Sequence, residues 1–283
     1  MDGTAWGDLS RPPLRAGPLR RALTGGGPWT SLDVVPATGS TNADLAAAVR
    51  AGTADHGAVL TTDDQQAGRG RRDRTWTAPP RSAIAVSFFV RPHDVPRAMW
   101  SWLPLTVGLG VSDALVRVGG LDARLKWPND VLVQEEKICG VLAEVVEHPA
   151  GAGVVVGVGL NVSQRRDELP VPTATSLAVA GAATTDRDTV LRAVLRAVGD
   201  RYQAWAAAGG QPRASGVAAA YRERCRTIGQ VVRVELPGGE SLQGEAEGVD
   251  DEGRLLVRDG QRVHALAAGD VVHVRPAPPP DTA

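Results

Sequence analysis

Apolar positions recur with two periods along this chain, and where each period holds decides the elements it predicts. Leu32–Val35, Val59–Thr62 and Ile84–Val90 are short runs rich in β-branched residues, as strands require. Leu45, Ala48 and Val49 follow Ser40-Thr41-Asn42 at helical spacing, and Gly52 ends that helix; Thr41 and Asp44 fit a capping box at its start. From Trp100 to Val118, Leu103, Val107, Val111, Ala114 and Val118 fall on one face of a second helix, which Gly119-Gly120 stops. Leu191, Val194, Leu195, Val198, Tyr202 and Trp205 mark a third helix, and a short one is expected over about 215–224.

Between the second and third helices the strands follow one another directly. Leu125–Trp127, Val131–Val133, Lys137–Val146 and Val154–Val162 are joined by Pro128-Asn129-Asp130, Gln134-Glu135-Glu136 and a glycine-rich turn. Consecutive strands without crossover helices pair antiparallel, so the expected class is α+β: a mixed, mostly antiparallel sheet flanked by helices. After Thr227 the style changes to five short strands separated by turns such as Pro237-Gly238-Gly239 and Asp259-Gly260, which predicts a small β-barrel. The expected division is therefore a flexible segment over 1–29 with room for one short helix near Pro18–Leu23, a main domain over 30–225, a barrel over 227–275 and a disordered tail over 276–283.

A chain of 283 residues, 43% hydrophobic and 22% charged, is that of an ordinary globular protein with one large core and a small satellite. Its 31 Lys+Arg against 32 Asp+Glu leave a formal net charge of -1, which gives no reason to expect nucleic acid as a partner; any basic function must be local. Cys139 and Cys225 stand in unrelated contexts and the five histidines are scattered, so neither a disulfide framework nor a protein-held metal site is suggested. No apolar run could serve as a signal peptide or cross a membrane, which makes a cytoplasmic location the expectation.

The local basic feature is the run Gly68-Arg69-Gly70-Arg71-Arg72-Asp73-Arg74, which closes on Trp76 and packs four arginines and two glycines into seven positions. Glycines let backbone amides approach an anion closely, and guanidinium forks supply planar paired donors for carboxylate or phosphate. Tethered between two strands yet glycine-rich in its middle, such a loop suits a lid that orders on a ligand. Gly39-Ser40-Thr41-Asn42 precedes it; Lys126-Trp127-Pro128-Asn129-Asp130, Lys137-Ile138-Cys139-Gly140-Val141-Leu142-Ala143-Glu144 and Gly157-Val158-Gly159-Leu160-Asn161-Val162 follow.

These five segments, in this order, resemble the biotin protein ligases over roughly residues 30 to 275. Only Asp73 departs from the family's fixed positions, standing where the family has a glycine. The resemblance implies a class II synthetase-like catalytic domain with a Src-homology-3-like barrel, and ligation of biotin to a lysine of a biotin carboxyl carrier domain of acyl-CoA carboxylases through biotinyl-5'-adenylate. It implies ATP and biotin as substrates and Mg2+ on the phosphates. Arg69 and Lys137 are then the catalytic cations. Ser40, Thr41, Asn42, Gln65, Gly68, Gly70 and Arg71 join them on the biotin side, while Arg71, Arg72, Arg74, Trp76, Lys126, Asn129 and Asn161 face the nucleotide. Too little chain precedes residue 30 for a DNA-binding unit, so the monofunctional kind of ligase is expected, with no DNA or membrane partner and with a monomer or a weak ligand-linked homodimer as its state. Two other functions stay open: a lipoate ligase, which shares fold and chemistry, and a non-catalytic regulator that responds to biotinyl-adenylate.

Overall fold

The computed structural model describes residues 11–71, 74–236, 240–267 and 270–273. Arg72 and Asp73 of the arginine loop and the proposed tail beyond Pro276 lie outside them.

A seven-stranded sheet forms the centre. Its strands are β1 (Ser31–Val35), β2 (Ala58–Thr62), β5 (Ala83–Val90), β6 (Ala123–Lys126), β7 (Asp130–Val133), β8 (Glu136–Val146) and β9 (Gly153–Asn161), in the order β1-β2-β5-β9-β8-β7-β6. The two-residue strands β3 (Gly68–Arg69) and β4 (Thr75–Trp76) pair separately as the stem of the arginine loop. Only β1 and β2 run parallel; the remaining neighbours in the sheet are antiparallel, and short turns join β6, β7, β8 and β9 in succession.

Alternation along the strands sorts the side chains onto two faces. Ile84, Val86, Phe88 and Val90 of β5, with Val154, Val156, Val158 and Leu160 of β9, enter the main core. That core is covered by α3 (Trp102–Gly119) and α4 (Arg187–Ala207). Helix α3 is apolar beyond the single stripe expected of it: Trp102, Leu105, Leu109 and Leu115 are buried as well as Leu103, Val107, Val111 and Ala114. It packs on the sheet, on α4 and on α5 (Val217–Arg224) at once, so no broad face is left for water.

The opposite face carries α2 (Thr41–Arg50), which buries Leu45, Ala46 and Val49 against Phe89, Val146 and Val155. The capping box expected from Thr41 and Asp44 does not form. Ser40 is the N-cap, accepting from the amide of Ala43 at 3.4 Å, and Asp44 instead takes the hydroxyl of Thr38. Thr41 is thereby the first helical residue, with its side chain turned to other work.

Residues 11–29, expected to be flexible, are anchored to the body. Leu19 and Leu23 of α1 (Ala16–Leu23) are buried in the main core beside Trp29, whose indole N–H donates to the carbonyl of Leu195 at 2.8 Å. Arg11 pairs with Glu168 at 2.6 Å, and the amide of Leu14 donates to Asp63 at 3.1 Å. Buried Arg187 donates to that same carboxylate at 2.6 Å.

The second sheet is five-stranded and antiparallel throughout, in the order β13 (Arg262–Leu266), β12 (Leu255–Asp259), β11 (Ser241–Val249), β10 (Val231–Glu235), β14 (Asp270–His273). This is the SH3-like unit expected after Thr227. Its Val232, Val234, Val249, Leu255 and Val257 belong to the same apolar cluster as the main domain, so the two units share one continuous core.

Candidate functional site

Two adjacent rungs of the sheet build the site. On the first, Ser87 of β5, Gly157 of β9 and Leu142 of β8 stand side by side. Because Gly157 has no side chain, the N-terminus of α2 comes down onto the sheet; a Cβ there would lie 2.2 Å from Oδ1 of Asn42. A buried polar chain results. Gln65 Oε1 accepts from both the amide and the hydroxyl of Thr41, at 3.0 and 3.1 Å. Ser87 Oγ stands 2.7 Å from Thr41 Oγ1 and 2.6 Å from Asn42 Oδ1, and Asn42 Nδ2 donates to Glu144 at 2.8 Å. Ser87 has a single proton for two acceptors, and the helix N-terminus supplies further amides. The end of the cavity is thus rich in both donors and acceptors within an apolar wall.

On the second rung, Ala85, Gly159 and Gly140 are aligned across three strands. These small residues leave a floor on which the indole of Trp76 lies: a Cβ on Gly159 would come within 2.7 Å of the ring, and one on Gly140 within 3.5 Å. The Lys137 ammonium sits 5.8 Å from the centre of the same ring, within the range of a cation–π contact. It also pairs with Asp130 at 2.7 Å.

A cavity of about 310 Å³ spans both rungs. Its wall gathers Ser40, Thr41, Asn42 and Gln65 at one end. Arg69, Gly70, Arg71, Arg74, Trp76, Lys126, Asn129 and Lys137 line the rest, so most of the residues singled out in sequence converge here. Asn129 accepts from Arg71 at 3.3 Å and donates to the carbonyl of Val141 at 3.0 Å, which ties the arginine loop to the Lys126–Asp130 turn.

Two of the expected residues do not line the cavity. Gly68 lies in the loop stem, where a Cβ would collide with the carbonyl of Trp76 at 2.4 Å. Asn161 is buried past the end of the floor, donating to Thr175 at 2.9 Å and accepting from Gln164 at 3.0 Å. Arg72 lies outside the described residues. Conversely, Asp130, the glycines 140, 157 and 159, Ser87 as support, and Glu235 and Val271 from the barrel were not singled out as site residues. The alternation of Gly157 and Gly159 was the available signal for a close approach; nothing local marks Glu235.

Among the described residues five cations line the cavity against two carboxylates, Asp130 and Glu235, so its field favours anions. The Lys126 pKa is held below the ordinary lysine value, chiefly by burial and partly offset by Asp130, with Lys137 and Arg74 adding repulsion. Cys139, on the far face of β8, is fully buried, and burial pushes its thiol well above the ordinary range, so it is an inert core residue.

Comparisons with known proteins identify the family. The model of the biotin/lipoate A/B protein ligase family matches residues 34–161, and that of the biotin protein ligase C-terminal domain matches 227–274. The chain is 46% identical over 272 residues to the biotin–[acetyl-CoA-carboxylase] ligase of Mycobacterium tuberculosis, covering 95% of this chain and 98% of that one. It is 28% identical to the bifunctional ligase/repressor BirA of Escherichia coli, over 91% of this chain and 77% of that one. A solved biotin protein ligase from Aquifex aeolicus, in complex with biotin and ATP, superposes with a TM-score of 0.73 at 27% identity, over 88% of this chain and 100% of that one.

Proposed function

This chain belongs to the biotin protein ligase family, and on that premise we propose how its pocket divides the work of ligating biotin through biotinyl-5'-adenylate. The observation that carries the reading is the neighbourhood of the two rungs: a donor-and-acceptor end at Ser40, Thr41, Asn42 and Gln65 opens directly onto five cations. A ureido head needs both kinds of partner, and a carboxylate that must meet a triphosphate needs the cations.

In the first half-reaction a biotin carboxylate oxygen attacks the α-phosphorus of ATP, and pyrophosphate leaves with the bonding electrons. Both reactants are anionic, so Coulomb repulsion opposes their approach; Arg69, Arg71 and Lys137 offset it, and Arg74 and Lys126 meet the nucleotide phosphates. Placing these donors beforehand also stabilises charge that grows on the phosphoryl oxygens. We assign Trp76 to the adenine, since its indole is held flat on the glycine floor inside the cavity. Asn129 orients Arg71.

Among the described residues no group of three or more His, Cys, Asp or Glu could cage a metal. Mg2+ commonly rides on substrate phosphates with one or two carboxylates, and Asp130 is the lining carboxylate fit for that use; when bound it would offset charge on the leaving pyrophosphate. The acceptor we propose for the second half-reaction is the lysine of a biotin carboxyl carrier domain. No helix among the described residues is long and apolar enough to cross a membrane.

Biotin-dependent exchange of labelled pyrophosphate into ATP tests the first step. Exchange with biotin that lipoate does not suppress supports the reading; exchange supported by lipoate and not by biotin points to lipoate ligation, and no exchange with either acid rejects both.

A further inference from the structure

The cations that bring biotin's carboxylate to ATP create a difficulty for the step that follows. Once pyrophosphate has left, Arg69, Arg71, Arg74, Lys126 and Lys137 still line the cavity. The carrier then delivers its lysine as an ammonium, with an ordinary pKa near 10. That ammonium is repelled by the lining, and it must lose a proton before its nitrogen can attack.

Among the described residues two carboxylates line the cavity, and they differ in place. Asp130, on β7, is ion-paired with Lys137 at 2.7 Å and its side chain is 21% exposed. Glu235 comes from the other unit. It ends β10, its side chain is 51% exposed, and Val271 of the neighbouring strand lines the cavity with it. Arg233, two residues back on the same strand, holds its guanidinium 3.8 Å from the Glu235 carboxylate. The barrel therefore supplies the carboxylate at the rim, where an arriving chain reaches first.

We propose that Glu235 receives the carrier lysine's ammonium at the pocket mouth and accepts its proton, which makes it a catalytic residue of biotinyl transfer and not of adenylation. This rests on the ligase reading above. One proton passes from the ammonium to the Glu235 carboxylate and on to water, and the cations around it favour the neutral amine. The freed nitrogen attacks the biotinyl carbonyl carbon. The bond from that carbon to the phosphate oxygen breaks, AMP leaves with the electron pair, and the second proton lost from nitrogen as the amide forms passes to water.

The test separates the half-reactions on the full chain. E235Q keeps the shape and removes the charge. Biotin-dependent pyrophosphate release should stay within about threefold of the unsubstituted protein. Single-turnover transfer from preformed biotinyl-adenylate to saturating carrier domain should slow by about 100-fold or more, the low end of what one positioned general base contributes. Transfer to hydroxylamine, which is uncharged in neutral solution and needs no such help, should not slow, and E235D should recover part of the carrier rate. Carrier transfer at the original rate overturns the proposal. So does an equal loss with carrier and hydroxylamine, or a loss of pyrophosphate release. If the unsubstituted protein itself releases no pyrophosphate with biotin, the ligase reading falls, and the proposal with it.

Discussion

The indole N–H of Trp127 donates to the carbonyl of Gly253 at 3.0 Å, joining the Lys126–Asp130 turn of the active site to a turn of the C-terminal barrel. Gly253 has φ of 77°, a region that side chains disfavour, and this aims its carbonyl at the ring. The amide of Trp127 also donates to Thr227 at 3.1 Å, while Trp102 and Ser101 hold the carbonyls of Asp251 and Glu252 at 2.8 and 2.6 Å. Main-domain side chains thus hold three successive backbone carbonyls of one barrel turn, and a main-domain amide holds the Thr227 hydroxyl. Trp127→Phe should cost about 2 kcal/mol, from one buried hydrogen bond and a small cavity, and should loosen the barrel. A lower urea midpoint with faster proteolysis after Thr227 is the expected result; an unchanged midpoint would show that the contact is incidental.

Lys137→Ala removes the cation that meets both Asp130 and Trp76. With about a third of the side chain exposed, the loss in adenylation should be on the order of 2 kcal/mol, or roughly thirtyfold in kcat/KM. Arg254→Ala, which breaks exposed pairs with Asp250 and Glu252, should leave the rate within about threefold. Equal losses in the two variants would place the chemistry elsewhere.

The two glycines of β9 make separable predictions. A methyl on Gly157 meets Asn42 Oδ1, whereas one on Gly159 meets the Trp76 ring at 2.7 Å. Gly157→Ala should raise KM for biotin and Gly159→Ala should raise KM for ATP, each by about tenfold or more, with the other KM little changed. Steady-state titration of each substrate decides it, and crossed or shared effects would merge the two rungs into one subsite.

Lys126 bears a charge that the folded protein disfavours, mainly through burial. Its folded pKa lies below the unfolded value of 10.5, so the unfolded chain binds more protons between the two. The destabilisation is complete below the folded pKa and disappears as pH rises through 10.5. Lys126→Met should therefore raise the urea midpoint at neutral pH, with a gain that shrinks at alkaline pH, while weakening ATP binding. A lower midpoint at neutral pH would mean that Lys126 stabilises the fold.

Much of this site was legible because its parts are local. Arginines in a glycine loop, a lysine opening β8 and a serine-capped helix declare themselves within a few residues. The cap itself was misread by one position, because Ser40 and Thr41 are equally good caps and only tertiary partners, Gln65 and Ser87, decide between them. Gly157 and Gly159 read as part of a strand and of a family segment, but not as the floor of a site, which appears only when the register sets them beside Ser87 and Ala85. The barrel's strands were visible from period and turns, yet Glu235 was not, since its place in the wall follows from how two units dock. Residues 11–29 read as part of a flexible segment by their Pro, Gly and Arg content, yet their few apolar side chains, Leu14, Leu19, Leu23 and Trp29, are buried in the core.

If one pocket makes biotinyl-adenylate and hands biotin to a protein lysine, a single assay follows both steps. The protein should be mixed with ATP, Mg2+, biotin and a biotin carboxyl carrier domain, and the carrier weighed by intact-mass spectrometry. The account predicts a single biotinyl addition that needs ATP and vanishes when the carrier's target lysine is replaced by arginine. An unmodified carrier, with no biotin-dependent pyrophosphate released, would contradict it.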